Sequence, residues 1–185
     1  TIGRLPEGGM SRPAFGSADC AAHEWLLQRA REAGLEAGYD AFGNAVLRLE
    51  PEDAEHASRP AILLGSHLDT VENGGAFDGA LGIVVGLEML RRLARQGPVR
   101  RPVELIAFRD EEGRFGPFTG SRAFTGSLPL DAMVHMRAPD GELLVDAMRR
   151  AGFDPVTAGQ AARDPRGIAA YLELHIEQGS VLEEA

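Results

Sequence analysis

Apolar residues change their period several times along this chain, and each change marks an element. Trp25, Leu26 and Ala30 recur at helical spacing over residues 17–33, with Ser17 placed to cap the start and Gly34 to close the end. Two short strands are expected at 35–39 and 45–49, then a polar, exposed turn over 51–60. Ala61-Ile62-Leu63-Leu64 is a continuous apolar run of strand length and reads as a buried strand. A helix follows from Ala80 to Arg95. It is apolar nearly all round through Leu81, Ile83, Val84, Val85 and Leu87, then amphipathic at Arg91, Arg92 and Arg95, so its first half is expected to be buried beneath the preceding loop. Gly97-Pro98 stops it, and Pro102 to Phe108 forms the next strand. Ser121 is placed to cap a short helix to Phe124. Asp140 is placed to cap another, with Leu143, Leu144, Ala147 and Met148 on its apolar face and Gly152 at its end. After a loop over 155–167, Tyr171, Glu173, His175 and Glu177 alternate with Leu172, Leu174 and Ile176, which predicts a strand over 169–176. A further helix is expected after Gly179. Strands alternating with helices give an α/β layered fold without internal repeats.

Composition narrows the chemistry. A net charge of −9 argues against nucleic acid as a partner, and every basic residue other than histidine is arginine, which removes lysine Schiff-base and phosphate-loop chemistry. Cys20 is the one cysteine, so there is no internal disulfide or thiolate zinc cluster; it is expected to be a buried, inert thiol. No apolar run approaches a membrane span and the first residues lack a signal-peptide layout, so the expectation is a cytoplasmic protein.

The chemistry concentrates at three strand ends. His67 and Asp69 follow the apolar run 61–64, in a segment that continues through Gly74-Gly75 to Asp78 at the start of the long helix. A metal-bound histidine commonly donates its second ring nitrogen to a carboxylate, so His67 with Asp69 reads as a ligand and its orienting partner. Asp78 is a carboxylate able to bridge two cations. Asp110-Glu111-Glu112 ends the 103–108 strand, and His175 lies near the end of the last one. In open α/β sheets, ligands bind at such carboxyl ends. A set of imidazoles and carboxylates suits two divalent cations, with zinc, manganese, cobalt or nickel as candidates.

Gly65-Ser66-His67-Leu68-Asp69-Thr70-Val71, Gly74-Gly75-x-Phe77-Asp78-Gly79, Asp110-Glu111-Glu112-Gly113, Gly120-Ser121-Arg122-Ala123 and Glu173-Leu174-His175-Ile176-Glu177-Gln178-Gly179 together resemble the dinuclear-metal amidohydrolases of the aminoacylase/carboxypeptidase clan. More narrowly, the set is similar to the N-carbamoyl-L-amino-acid hydrolase, β-ureidopropionase and allantoate amidohydrolase group, which Ser11-Arg12-Pro13 and Asp140-Gly141-x-Leu143 also fit. The resemblance implies a three-layer, zinc-exopeptidase-like catalytic domain with a central mixed sheet. Residues 1–185 would form its N-terminal part, without the lid and dimerisation domain or the C-terminal part. It implies that His67 and His175 hold one metal, Asp78 bridges, Glu112 holds the other, Glu111 is the general base and Asp69 orients His67. It also implies a small N-carbamoyl or ureido substrate and a homodimer for the complete protein. The spacer from Glu112 to Gly120 is slightly short for the group. The family's remaining metal-binding histidine and its substrate-carboxylate arginine fall outside these residues. Alternatives are an allantoate amidohydrolase, a dipeptidase or acylase on the same fold, or a metal-binding domain that is inactive on its own.

Overall fold

The computed structural model describes residues 2–184. Helix α1 (Ser17–Glu32) leads into strands β1 (Glu36–Tyr39) and β2 (Ala45–Leu49), short helix α2 (Ala54–Ala57) and strand β3 (Ala61–His67). Helix α3 (Ala80–Gln96) and strand β4 (Val103–Phe108) follow, then α4 (Thr119–Phe124), α5 (Leu130–Met133) and α6 (Leu144–Arg150). Two 3₁₀ turns, Ala158–Ala161 and Pro165–Gly167, precede strand β5 (Ile168–Leu172).

The five strands form one mixed sheet in the order β1-β2-β4-β3-β5. Strand β3 runs parallel to both β4 and β5, while β2 is antiparallel to β1 and β4. This is the expected central mixed sheet. His67 pairs with Phe108, so β3 and β4 end level and release their loops at the same edge. Leu172 pairs with Leu64, and beyond the strand the His175 ring stacks on that of His67 with centroids 5.7 Å apart.

Alternation along β4 divides the interior. Val103, Leu105 and Ala107 join Leu26, Leu27 and Ala30 of α1 and Ile83, Leu87 and Leu90 of α3 on one face. Ile106 and Phe108 join Leu63 and Phe124 of α4 on the other. Helices α1 and α3 therefore cover one face, and α4 covers part of the other through Phe124. Each fully buried leucine or isoleucine contributes roughly 1.5–3 kcal/mol relative to exposure. A third cluster, around Phe15, Phe42, Phe115, Leu144 and Met148, packs beside the sheet.

Several expectations need correction. Gly16, not Ser17, precedes the first turn of α1, and it is Asp19 that satisfies a free amide there, accepting from Phe15 N at 2.8 Å. Trp25 is 36% exposed; the buried face of α1 is Ala22, His23, Leu26, Leu27 and Ala30. In α3 only one face is buried, and Val84, Val85 and Met89 look outward, because the sheet covers a single side of the helix. Ser121 lies inside α4, whose cap is Phe118 in a left-handed conformation. Asp140 closes the turn before α6 by accepting from Glu142 N at 3.0 Å, and Leu143 is the cap. Strand β5 ends at Leu172, four residues early, as the chain leaves the ladder and crosses toward Asp78. Beyond Gly179 there is a turn rather than a helix. Cys20 is half-buried, its Sγ 3.7 Å from the Arg109 guanidinium. The 51–60 turn contains α2.

Candidate metal centre

The loop after β3 is laced to the N-terminal segment. Met10 N donates to Gly74 O at 3.0 Å and Gly74 N returns a bond to Met10 O at 2.8 Å. Arg12 N donates to Thr70 Oγ1 at 2.9 Å, and Arg12 Nε to Leu68 O at 2.7 Å. The loop is thereby held against the body of the domain. Gly79 turns it into α3 with φ 61°, and a Cβ there would meet three atoms of the His67 ring at 2.5 Å. Only glycine allows both the conformation and the approach.

His67, Asp78 and His175 come together, with one donor atom from each lying within 4.8 Å of the others. Asp78 Oδ1 is 3.6 Å from His67 Nε2 and 3.3 Å from His175 Nε2, and the two Nε2 atoms are 3.4 Å apart. His67 Nδ1 sits 3.0 Å from Asp69 O, and His175 Nδ1 2.8 Å from Ile176 O. A carbonyl only accepts, so each Nδ1 carries a hydrogen, and each ring turns its Nε2 toward Asp78. Asp78 Oδ2 accepts from Gln178 Nε2 at 2.9 Å, whereas Oδ1 is buried without a hydrogen-bond partner. Two imidazole nitrogens and a buried carboxylate oxygen without a hydrogen-bond partner thus face one point. This donor set therefore fits a divalent metal.

The expected Asp69–His67 pairing differs in detail. The His67 N–H goes to the Asp69 main-chain carbonyl, while the carboxylate Oδ1 stands 3.6 Å away. Asp69 lies past the strand end, and its buried carboxylate turns instead to the second acidic segment. It accepts from Glu111 N at 3.3 Å and Glu112 N at 3.0 Å. Burial pushes the Asp69 carboxyl up to about 6. One residue thus orients the imidazole through its backbone and the Glu111-Glu112 segment through its side chain.

Glu112 faces the cluster, with Oε1 3.9 Å from His67 Nε2. Glu111 lines the same cavity, of about 920 Å³, with His67, Glu112, His175 and the rings of Phe108, Phe118 and Tyr171. Both Glu111 oxygens are occupied by Ser121: the backbone N donates at 2.9 Å and Oγ at 2.7 Å. Burial raises the Glu111 carboxyl, and the two Ser121 bonds oppose the rise. Asp110, in a left-handed conformation, points away, accepting from Thr119 Oγ1 at 2.7 Å; burial pushes it up to about 7. Its position makes it part of the loop's frame.

That frame is anchored by a residue that no sequence motif singles out. The Arg109 side chain is buried, with Nη1 2.5 Å from Asp19 Oδ2 and Nε donating to Gly43 O at 2.8 Å. Arg109 N donates to Asn44 Oδ1 at 2.9 Å, and Asn44 Nδ2 donates to Gly120 O at 3.2 Å and Asp40 Oδ2 at 2.7 Å. The sequence patterns also miss Gln178 and Ser121 in these roles. The Glu177-Gln178-Gly179 run is the available signal for the first, but nothing local marks the second.

A layered α/β domain that gathers nitrogen and oxygen donors above one end of its sheet belongs among the metallohydrolase-like folds. Residues 44–178 match the sequence model of peptidase family M28, and the chain belongs to that family. The relatives it matches include N-carbamoyl-L-amino acid amidohydrolases and allantoate deiminases. It is 45% identical to the N-carbamoyl-L-amino acid amidohydrolase of Geobacillus stearothermophilus, over the whole of this chain and 45% of that protein. It is 40% identical to the allantoate deiminase of Arabidopsis thaliana, over 82% of this chain and 30% of that one. A hydantoinase/carbamoylase family amidase from Burkholderia ambifaria superposes with a TM-score of 0.85 at 38% identity, covering 99% of this chain and 44% of that structure. The chain spans less than half the length of the relatives it matches. Among the described residues no helix is long and apolar enough to cross a membrane.

Proposed function

We propose that the protein hydrolyses the ureido C–N bond of N-carbamoyl-L-amino acids, and that residues 1–185 form the N-terminal part of its catalytic domain. The observation that carries this is the convergence of two imidazole Nε2 atoms on the unpartnered Oδ1 of Asp78, with Glu111 in the same cavity. Identity of 45% along the whole chain to an N-carbamoyl-L-amino acid amidohydrolase supports the substrate class.

His67, Asp78 and His175 would hold one divalent ion; Glu112, with Asp78 shared, would hold a second, whose remaining ligands lie outside these residues. Zinc, manganese, cobalt and nickel all suit such donors. When bound, the ions supply Lewis-acid polarisation of the ureido carbonyl and acidify the attacking water. Glu111 takes a proton from that water as its oxygen adds to the carbonyl carbon. Glu111 then returns the proton to the departing amino-acid nitrogen as the C–N bond breaks. The other product, carbamic acid, falls apart to ammonia and carbon dioxide unaided. Asp69 keeps Glu111 and Glu112 at their stations through their amides.

A second reading, allantoate as substrate, is favoured by the 40% identity to an allantoate deiminase. The complete protein, loaded with zinc or manganese, should be given N-carbamoyl-L-amino acids, allantoate and dipeptides in parallel. The highest kcat/KM is expected for an N-carbamoyl-L-amino acid. A higher value for allantoate would select the second reading, and turnover of dipeptides alone would refute both.

A further inference from the structure

We infer that Ser121 is a positioning residue for Glu111, holding its carboxylate in the plane from which it exchanges protons; this rests on the reading of Glu111 as the proton carrier. A glutamate side chain has three torsions, and the last is broad, so burial alone leaves its carboxylate plane undefined. Here two donors from a single residue meet the two oxygens separately, Ser121 N on Oε1 at 2.9 Å and Ser121 Oγ on Oε2 at 2.7 Å. Two contacts fix the rotation that one would leave free. Each carboxylate oxygen has a second lone pair, so this clamp leaves room for the travelling proton.

The clamp is mounted on the loop it serves. Thr119 N donates to Asp110 O at 3.0 Å and Phe118 N to Glu111 O at 3.4 Å. Gly120, between these residues and Ser121, lies so close to the Arg109 backbone that a Cβ would collide with Arg109 N and O. Helix α4 is therefore seated on the acidic loop, and the Ser121 amide is one of the first-turn amides that have no helical acceptor. The hydroxyl is the half of the clamp that mutation can remove. Its oxygen also lies 3.2 Å from Phe118 O, the orientation a helical threonine hydroxyl can adopt.

Ser121→Ala and Ser121→Thr in the complete, metal-loaded protein test this. With Ser121→Ala, kcat should fall about 10- to 100-fold, since misplacement of a general base forfeits part of its contribution. KM should stay within about twofold and metal content should be unchanged. Ser121→Thr should recover most of the loss. A crystal structure of metal-loaded Ser121→Ala should show the Glu111 carboxylate rotated or split between rotamers. Unchanged kcat, a fall matched by metal loss, or a folded threonine variant that fails to recover would each overturn the inference. So would a Glu111 carboxylate unmoved in the Ser121→Ala structure. That last measurement needs no substrate: if the parent protein cleaves no ureido compound, the functional reading fails while the role of Ser121 is still decided.

Discussion

Replacing Arg109 with methionine removes the charge beneath the acidic loop and keeps most of the side-chain volume. Arg109 and Asp19 are both essentially inaccessible and in contact through Nη1 and Oδ2. The guanidinium also stands 5.0 Å from the Phe15 ring, 5.7 Å from Tyr39 and 5.4 Å from Phe153. Breaking a buried pair by removing one partner costs about 3–5 kcal/mol. Asp19 would keep His23 Nδ1, 3.0 Å from its Oδ1, and the Phe15 amide, which places the loss toward the lower end. Lost cation–π attraction adds roughly 1 kcal/mol, for a total of about 4 kcal/mol. At a urea slope of about 2–3 kcal/mol/M, the unfolding midpoint should drop by roughly 1.3–2 M. Burial by itself would raise the Asp19 carboxyl, but His23 and Arg109 outweigh it and the folded value lies below the ordinary 3.8. The ion pair therefore stabilises above 3.8, and its contribution is lost as pH falls through the lower folded value. The gap between parent and variant should accordingly narrow below about pH 4. Adding Asp19→Asn to Arg109→Met should cost less than the sum of the two single changes, by more than about 1 kcal/mol. A loss under about 1 kcal/mol at neutral pH, as for an exposed pair, would refute the reasoning.

Glu111→Gln in the complete protein should abolish turnover while leaving metal content near the parent's; substantial activity at native metal load would contradict the proton-carrier role. His67→Ala and Asp78→Ala should each lower metal content, measured by elemental analysis, as well as activity. Gly79→Ala should cost about 1–2 kcal/mol for its left-handed backbone alone, and more because the new Cβ meets the His67 ring. Metal affinity should fall with it, and a stable variant with parental affinity would show that the loop can re-route.

Features set by near neighbours in the chain are legible in its sequence; those set by distant partners are not. The apolar runs of β3 and β4 end in polar, chemically loaded segments, so pattern alone puts His67, Asp110, Glu111 and Glu112 at strand ends. It puts His175 near its true height but on the wrong kind of backbone. Alternation persists through Ile176, yet the ladder stops at Leu172 because the chain turns toward Asp78, which Gln178 meets across 100 positions. Ser121 resembles a cap because serine before a short helix commonly is one; its actual acceptor is the side chain of Glu111. His67 and Asp69 do stand side by side, but which group of Asp69 faces the ring depends on the Glu111 and Glu112 amides, 42 and 43 positions downstream. Trp25 misleads by size: its spacing suits the buried stripe, but α1 meets the sheet through a neighbouring stripe that admits His23.

Asn44 has a consequence beyond the bonds it makes. Its amide takes the Arg109 N–H on one side and gives a hydrogen to Gly120 O on the other, so the segment bearing Glu111 and the helix bearing Ser121 share one datum. Displacements of that datum are common to both, and their difference, which sets the clamp on the carboxylate, is unchanged to first order. The domain can breathe as a body while the tolerance between Glu111 and Ser121 stays tight.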